Sequence, residues 1–294
     1  MRSFPPLPDL RSSEPSADIL RGHLWLLELI HGTGLRFRMD DSGLLRFGDS
    51  HATYTDREDV PVALRPALRH VRTRFERKVL RSSVDEPAEI VFFGVATHHC
   101  GVDYDWERLP AFLGTDVWSA GSQRANASGI SSSAADSREG SFRPPDAAAA
   151  IFEGVGLDPI NAVERERNVR DFDPDSYPIP DSAWYDGPAA GVVVKNKRGG
   201  RGRIVSDLLD SELDATDDPD RLVERYVTPD RLERAVSSME REGTPPAVGS
   251  LADRVVEIVA RETPVRFGDR HPGASLDPDQ FRVAAFDSVR AFLD

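Results

Sequence analysis

The segment from residue 24 to residue 37 constrains the fold more than any other part of the chain. It reads LWLLELIHGTGLRF, an apolar run interrupted only by Glu28 and followed by a glycine-containing turn. Such a run is typical of a mostly buried strand. Beyond the turn, apolar residues alternate with arginines, Arg36 among them, which is the pattern of a half-buried strand. With a turn at 40–43 and a strand at 44–47, this segment predicts an antiparallel meander.

The remaining pattern predicts strands and helices in separate stretches. Apolar runs at 90–96 and 111–118 predict two more strands. Apolar residues recur at helical spacing from Leu64 to Val79 and predict one amphipathic helix there. Residues 119–145 are rich in Ser, Gly and Ala and predict a disordered loop.

The character of the sequence changes after about residue 215. Asp218 and Thr228 are each followed by proline, an order typical of a helix start, and apolar residues follow at helical spacing. We therefore predict two domains, a β-rich domain over 1–214 and a small helical domain over 215–294.

Composition limits the classes of function. The net charge is −13, so general affinity for nucleic acid is not expected, and any nucleic-acid surface must be a local basic patch. Lysine occurs only at Lys78, Lys195 and Lys197, and the other basic residues are arginines. Acidic, arginine-rich chains are typical of a high-salt cytoplasm or of a GC-rich genome, and the sequence does not separate these two causes.

Cysteine content and hydropathy indicate a cytoplasmic protein. Cys100 is the one cysteine of the chain, so a disulfide framework within it is impossible, which suits a reducing compartment. The first residues lack the apolar core of a signal peptide, and no apolar run approaches membrane-spanning length. His98 and His99 precede Cys100, but adjacent residues on a strand point to opposite faces, so we expect no metal site there.

A basic run is the clearest local departure from the acidic composition. Five positive charges fall within nine residues, at Lys195, Lys197, Arg198, Arg201 and Arg203. A solvated turn and a phosphate-facing strand and loop are equally good interpretations. Lys195 follows three valines and is expected to extend from a buried strand, which makes it the most specific candidate for a phosphate contact.

In their order along the chain, these blocks resemble the ATP-dependent RNA ligase family, within the superfamily of ligases and capping enzymes. The first block of that family holds a lysine, any residue, an aspartate and a glycine. Leu29 stands at the lysine position and His31 at the aspartate position, while Gly32 matches the glycine. Glu28 precedes the nucleophile position, as in many such ligases. Arg36 falls where the family places an arginine near the ribose and phosphates.

Later blocks continue the resemblance with further replacements. Val95 ends the block Phe-Phe-Gly-Val, where the family has a glutamate on the ribose. Ala190 opens the block Ala-Gly-Val-Val-Val-Lys, where a metal-associated glutamate is expected. The resemblance implies that the groups left to bind a nucleotide are Glu28, Gly32, Arg36, Lys195, Arg201 and Arg203.

The resemblance also implies a fold, a reaction and its partners. The expected class is α+β, an antiparallel-sheet nucleotidyltransferase (ATP-grasp-like ligase) domain followed by a small α-helical C-terminal domain. ATP and Mg²⁺ are the implied cofactors, and RNA with 5′-phosphate and 3′-hydroxyl ends is the implied partner. Without the lysine that forms the covalent adenylate, catalysis is expected to be impaired.

Three hypotheses follow from the sequence. The chain is an RNA-ligase-like protein with impaired catalysis, a non-catalytic pseudo-ligase that binds nucleotides or RNA ends, or a decaying copy that only folds. We expect no intact catalytic residue and no metal ligand at the replaced positions.

Overall fold

Within the residues that the structure describes, the fold consists of two antiparallel sheets and seven α-helices. The computed structural model describes residues 1–12, 18–120, 140–206, 218–268 and 276–294. Every strand pairing among them is antiparallel, and four helices follow the last strand. The α+β class predicted from the sequence, antiparallel sheets followed by a helical segment, is confirmed.

The first sheet has four strands in the order β10-β9-β1-β8. Its strands are β1 (His23–Glu28), β8 (Ala162–Asn168), β9 (Gly191–Asn196) and β10 (Arg201–Val205). Leu24 and Leu26 of β1 and Val194 of β9 share one apolar cluster on one face. Strand β8 is polar and lies at the edge of the sheet, and the sequence pattern did not predict it.

The second sheet has six strands in the order β4-β3-β2-β5-β6-β7. Its strands are β2 (Gly32–Met39), β3 (Leu45–Gly48), β4 (Thr53–Tyr54), β5 (Ile90–Thr97), β6 (Phe112–Ser119) and β7 (Ser141–Phe142). One face carries the largest aromatic core, in which Phe37 stacks on Phe92 with 4.9 Å between ring centroids. Buried aromatic rings stabilise a core through their large apolar area, and through contacts between rings of this kind.

The predicted meander is wrong at its first step, because β1 and β2 belong to different sheets. Strand β1 is paired on both sides, with β9 and with β8, so it offers no free edge to β2. Strand β2 pairs with β3 and β5 instead. The chain therefore passes from one sheet to the other between Leu29 and His31, and this crossing lies at the predicted motif.

Helices pack on the aromatic face of the second sheet. They are α1 (Arg65–Arg74), α2 (Arg77–Ser83) and α3 (Pro145–Gly154). The sequence predicted one helix from Leu64 to Val79, but Phe75 is extended and interrupts it. The backbone N–H of Glu76 donates to the carbonyl of Val155 at 2.8 Å. This contact with a distant residue, which local spacing does not show, replaces the helical bond at the break.

Only the two ends of the predicted disordered loop belong to the described part of the chain. Residues 121–139 lie outside the described part of the chain. The ends of the predicted loop are ordered, because Ser119 closes β6 and Ser141–Phe142 forms β7 beside it.

The C-terminal segment is helical. It contains α4 (Pro219–Tyr226), α5 (Pro229–Arg241), α6 (Val248–Glu262) and α7 (Pro278–Leu293). Their apolar faces form a cluster of their own, which also takes in Val62. The boundary near residue 215 falls outside the described residues, so the division into two domains stays a prediction. None of the helices in the described ranges combines the length and the apolar character needed to span a bilayer.

Buried charges attach the helical segment to the second sheet. Glu257 of α6 is buried and accepts from Arg57 and Arg69, while Arg261 donates to the carbonyls of Thr97 and Leu109. We call Arg57, Arg69, Glu257 and Arg261 the helix–sheet joint.

Candidate functional site

Two rows of side chains face each other between the sheets. Strand pairing in the first sheet aligns Lys195 of β9 with Arg201 of β10. Pairing in the second sheet aligns Arg36 of β2 with Phe93 of β5, and Phe93 with Asp116 of β6. Because side chains alternate between the faces of a strand, each row projects to one side of its sheet. Lys195 and Arg201 both reach Asp116, so these two sides face each other.

A buried ion pair network joins the rows. The Nζ atom of Lys195 lies 2.8 Å from Oδ2 of Asp116 and donates to the carbonyl of Thr115 at 2.7 Å. Nη1 of Arg201 lies 2.7 Å from the second carboxylate oxygen of Asp116. The three charged side chains belong to residues that are 5 to 8% exposed. Burial lowers the pKa of Lys195, and the neighbouring carboxylate of Asp116 opposes that shift.

Arg36 is buried beside this network but lacks a carboxylate. It is 8% exposed, and its Nη1 donates to the carbonyl of Arg2 at 2.7 Å. Its Nε is buried without a hydrogen-bond partner, and its guanidinium carbon lies 5.8 Å from the ring centroid of Phe4. Among the described residues no Asp or Glu forms an ion pair with it. We call Arg36, Asp116, Lys195 and Arg201 the inter-sheet cluster.

The residues at the predicted catalytic positions pack on glycines. The N–H of Leu29 donates to the carbonyl of Gly191 at 2.9 Å, and a Cβ added at Gly191 would lie 3.0 Å from the Leu29 side chain. Val95 lies against Gly32 in the same way, where a Cβ would also collide with the carbonyl of Ala96. Gly32 has φ of 152° and is required by this close approach of β2 to β5. Leu29 and Val95 are therefore packing residues.

The polar residues of the first block are engaged within the protein. Glu28 is buried, and its carboxylate accepts from the side chains of Asn161 and Ser182 at 2.7 and 2.6 Å. His31 lies in the crossing between the sheets, with Nδ1 2.6 Å from the carbonyl of Cys100. Burial lowers the pKa of His31. At the start of β9, Ala190 is buried and has no polar side-chain atom.

The basic run divides into inward and outward members. Lys195 and Arg201 point into the inter-sheet cluster. Lys197 is half-exposed and pairs with Asp146 and Glu166 at 3.3 and 2.7 Å. Arg203 is exposed, although it lies on the same edge strand as Arg201. Of the six predicted nucleotide-binding residues, the structure brings Arg36, Lys195 and Arg201 to one layer of the molecule.

Sequence reasoning missed several residues that complete this layer. Asp116 was not among the predicted site residues, although a charge inside the apolar segment FLGTDVW indicates that it needs a buried partner. Phe142 contacts the guanidinium of Arg201, whose carbon lies 4.3 Å from the ring centroid. Arg2 and Phe4 carry no signal of this kind in the sequence.

The cluster is covered in this structure. Cavities of about 950, 730, 470 and 340 Å³ occur elsewhere, and none of these four is lined by a residue of the inter-sheet cluster. A ligand would therefore have to displace part of the protein to reach these side chains.

The donor set suits an anion and does not suit Mg²⁺. Mg²⁺ prefers carboxylate oxygens and water. Asp116 is held by two cations and Glu28 is hydrogen-bonded within the protein, whereas Val95 and Ala190 offer no side-chain oxygen. Within the described ranges, no group of three or more His, Cys, Asp or Glu residues is arranged to hold a metal ion.

Solved structures with a similar overall arrangement are ATP-dependent ligases. No family model and no curated protein matches the sequence. An archaeal ATP-dependent RNA ligase is 14% identical, with a TM-score of 0.43 over 98% of this chain and 63% of its own. A mutant RNA ligase of Naegleria gruberi with ATP and Mn is 11% identical, with a TM-score of 0.49 over 70% of this chain and 56% of its own.

The same Naegleria gruberi ligase with PPi gives 9% identity and a TM-score of 0.48, over 77% of this chain and 58% of the ligase. This chain thus spans less than two thirds of the length of these ligases. Since the TM-scores lie below 0.5, we transfer no residue role from these structures.

Proposed function

We propose that this chain is an RNA-ligase-like protein that binds a phosphate-bearing ligand, a nucleotide or a 5′-phosphorylated RNA end, without forming a covalent adenylate. The observation that supports this proposal best is the charge of the inter-sheet cluster. Lys195 and Arg201 share the carboxylate of Asp116, and Arg36 is buried without a carboxylate partner among the described residues, which leaves a formal excess of two positive charges.

An excess of buried positive charge is costly unless something compensates it. Moving a cation out of water costs roughly several kcal/mol, even after the protein has relaxed around it. This cost is recovered only when an anion lies close to the cation in a favourable geometry. Asp116 serves this purpose for Lys195 and Arg201, but Arg36 has only a carbonyl and a ring nearby. A phosphate would supply acceptor oxygens for the unpartnered Nε of Arg36, and guanidinium groups suit phosphate in particular.

The positions of the lysines argue against lysyl adenylation. The chain has three lysines in all. Lys78 lies on α2, Lys197 is paired with two carboxylates at the surface, and Lys195 donates to Asp116. None of them lies at the crossing between the sheets, where Leu29 packs on Gly191. A ligand held at the cluster would therefore be bound without a covalent bond.

A second candidate function follows from Lys195 itself. A desolvated lysine beside another cation has a lowered pKa, and this is one way in which enzymes obtain a nucleophilic amine. In that case the neutral amine of Lys195 would attack the α-phosphate of ATP and release pyrophosphate, in place of the missing lysine at position 29. The ion pair with Asp116 stands against this, because the carboxylate stabilises the protonated amine, which has no lone pair for attack.

Incubation with α-labelled ATP and a divalent metal separates the two candidates. We expect no covalent label on the purified chain, and intact-mass measurement should show no added AMP. Leu29→Lys alone should not introduce labelling, because Val95 and Ala190 also lack the expected carboxylates. AMP mapped to Lys195, or full labelling of the single variant, would overturn the proposal.

Non-covalent binding is tested by calorimetric titration. ATP and a 5′-phosphorylated oligoribonucleotide should bind, whereas adenosine and the 5′-hydroxyl oligoribonucleotide should not. Affinity should fall with salt, since the contacts are ionic. Arg36→Met should weaken binding by about tenfold or more, on the scale of one charged hydrogen bond.

Arg46→Met is the matched control, because Arg46 lies on the neighbouring strand β3 with its charge paired to Asp40 at 2.9 Å. Equal loss in both variants would mean that the phosphate does not bind at the cluster. If only the oligoribonucleotide binds, the ligand is an RNA end and not a free nucleotide.

A further inference from the structure

The N-terminal segment is fastened to the edge of the first sheet. The N–H of Arg203 donates to the carbonyl of Pro8 at 2.9 Å, and the N–H of Leu10 donates to the carbonyl of Arg203 at 2.8 Å. Leu10 is buried and fills the space left by Gly202, where any side chain would collide with it. Asp9 thus forms an isolated parallel β-bridge with Arg203 at the edge of β10.

Residues before this anchor lie on the inner face of the second sheet. The ring of Phe4 meets the ring of Phe93 edge to face, with centroids 5.2 Å apart. It also lies against Gly34, where an added Cβ would be 3.0 Å from the Phe4 ring. The guanidinium carbon of Arg2 lies 4.7 Å from the ring centroid of Trp118. Phe93 on β5 is paired with Arg36 of β2, and Trp118 lies two residues from Asp116 on β6.

Among the described residues, this segment supplies the one hydrogen bond of the Arg36 guanidinium. This bond is the 2.7 Å contact from Nη1 to the Arg2 carbonyl. The neutral carbonyl oxygen lies where a phosphate oxygen would otherwise reach Arg36. In the row of side chains across the second sheet, Phe93 lies between Arg36 and Asp116. The ring of Phe4 lies over Phe93 and so covers the middle of this row.

We propose that Arg2–Phe4 is an internal competitor of the phosphate-bearing ligand, displaced when the ligand enters the inter-sheet cluster while residues 8–10 stay in place. This inference rests on the proposed function, because it concerns the same site. It explains why the cluster contains buried cations although none of the four cavities described above reaches it.

The contacts of the segment suit reversible displacement. Arg2 is exposed and Phe4 only half-buried, in contrast to the buried Leu10. Segments with little buried apolar area open locally at low cost in free energy. Competition of this kind reduces the apparent affinity by the fraction of molecules in which the site is open.

Phe4→Ala tests the proposal by weakening the cover without removing a positive charge from the site. We expect it to tighten ATP or phosphorylated oligoribonucleotide binding by about tenfold, measured by calorimetry. Phe286→Ala is the matched control, since Phe286 is a half-buried ring on α7 in the helical segment. Thermal melting of both variants checks that they fold.

Backbone ¹⁵N relaxation of the unmodified chain gives a second readout that needs no variant. Saturating ligand should raise the ps–ns mobility of residues 2–4 and leave the bonded amide of Leu10 as rigid as before. Ligand binding with unchanged mobility of residues 2–4 and unchanged affinity of Phe4→Ala would overturn the competitor and leave the proposed function standing. Absence of binding by the unmodified chain and by Phe4→Ala would overturn both.

Discussion

The inter-sheet cluster and the helix–sheet joint both bury arginines, yet they differ in how the charges are compensated. At the joint, Glu257 lies within 3.1 Å of Arg57 and also pairs with Arg69, and Arg261 has Glu262 at 3.8 Å. In the inter-sheet cluster, Arg36 has no such carboxylate among the described residues.

The difference distinguishes a structural contact from a candidate binding site. Arg261 also donates to the carbonyls of Thr97 and Leu109, so its donors are used within the protein. Arg36 keeps a buried Nε without a partner. A joint that only holds two parts together gains nothing from unused donors, whereas a ligand site needs them before its ligand arrives.

Asp116→Asn should have the largest effect on stability. It removes the one carboxylate shared by Lys195 and Arg201, whose side chains are 6 and 8% exposed, and leaves two buried cations unpaired. We expect a loss of about 3–5 kcal/mol in the free energy of unfolding, measured by urea denaturation. Phosphate or ATP should restore part of this stability if the proposed site is correct, because a bound ligand stabilises the folded state.

Glu257→Gln makes the equivalent change at the joint and should cost less. Its partners are more exposed, with 57% of the Arg57 side chain and 26% of the Arg69 side chain accessible to water. Water can therefore solvate them in the variant, and we expect a loss of about 1–3 kcal/mol. ATP should stabilise this variant no more than it stabilises the unmodified chain. A loss as large as that of Asp116→Asn would remove the distinction between the two regions.

Arg36→Met should not lower the free energy of unfolding, whereas Arg261→Met should. Replacing a buried cation that lacks a carboxylate with an apolar side chain of similar length is expected to leave the free energy of unfolding unchanged or raise it by about 1 kcal/mol. Arg261→Met deprives buried carbonyls of their donor and should cost about 2 kcal/mol. Thermal melting without ligand measures both, and a clear loss in Arg36→Met would show that Arg36 serves packing.

Local pattern predicted the elements of this fold better than their partners. Strand β2 was predicted from alternation alone, since its alternate side chains meet the aromatic core. That β1 and β2 separate into different sheets depends on β8 and β9, far along the chain. The break at Phe75 likewise depends on Val155. The strand partners and the position of the helix break are set by contacts between residues far apart in the sequence. Short-range periodicity therefore does not predict them.

For the candidate site, too, the sequence predicted individual residues but not their partners. Lys195 was expected to extend from a buried strand, and it does. Its partner Asp116 lies on another strand of another sheet, so spacing along the chain could not identify it. The cover of the cluster by Phe4 depends on where the N-terminal segment crosses the molecule, which its sequence did not indicate.

Lys197→Gln should have the smallest effect and therefore separates the outward half of the basic run from the inward half. Lys197 lies two residues from Lys195, but its amine pairs with Asp146 and Glu166 at the surface. Exposed ion pairs of this kind contribute little to stability, so denaturation of the variant should match that of the unmodified chain. Affinity for ATP should also be unchanged, because Lys197 does not reach the cluster. If ATP binding weakened in Lys197→Gln as much as in Arg36→Met, the ligand would lie along the exposed turn, and the buried excess of positive charge would no longer identify the site.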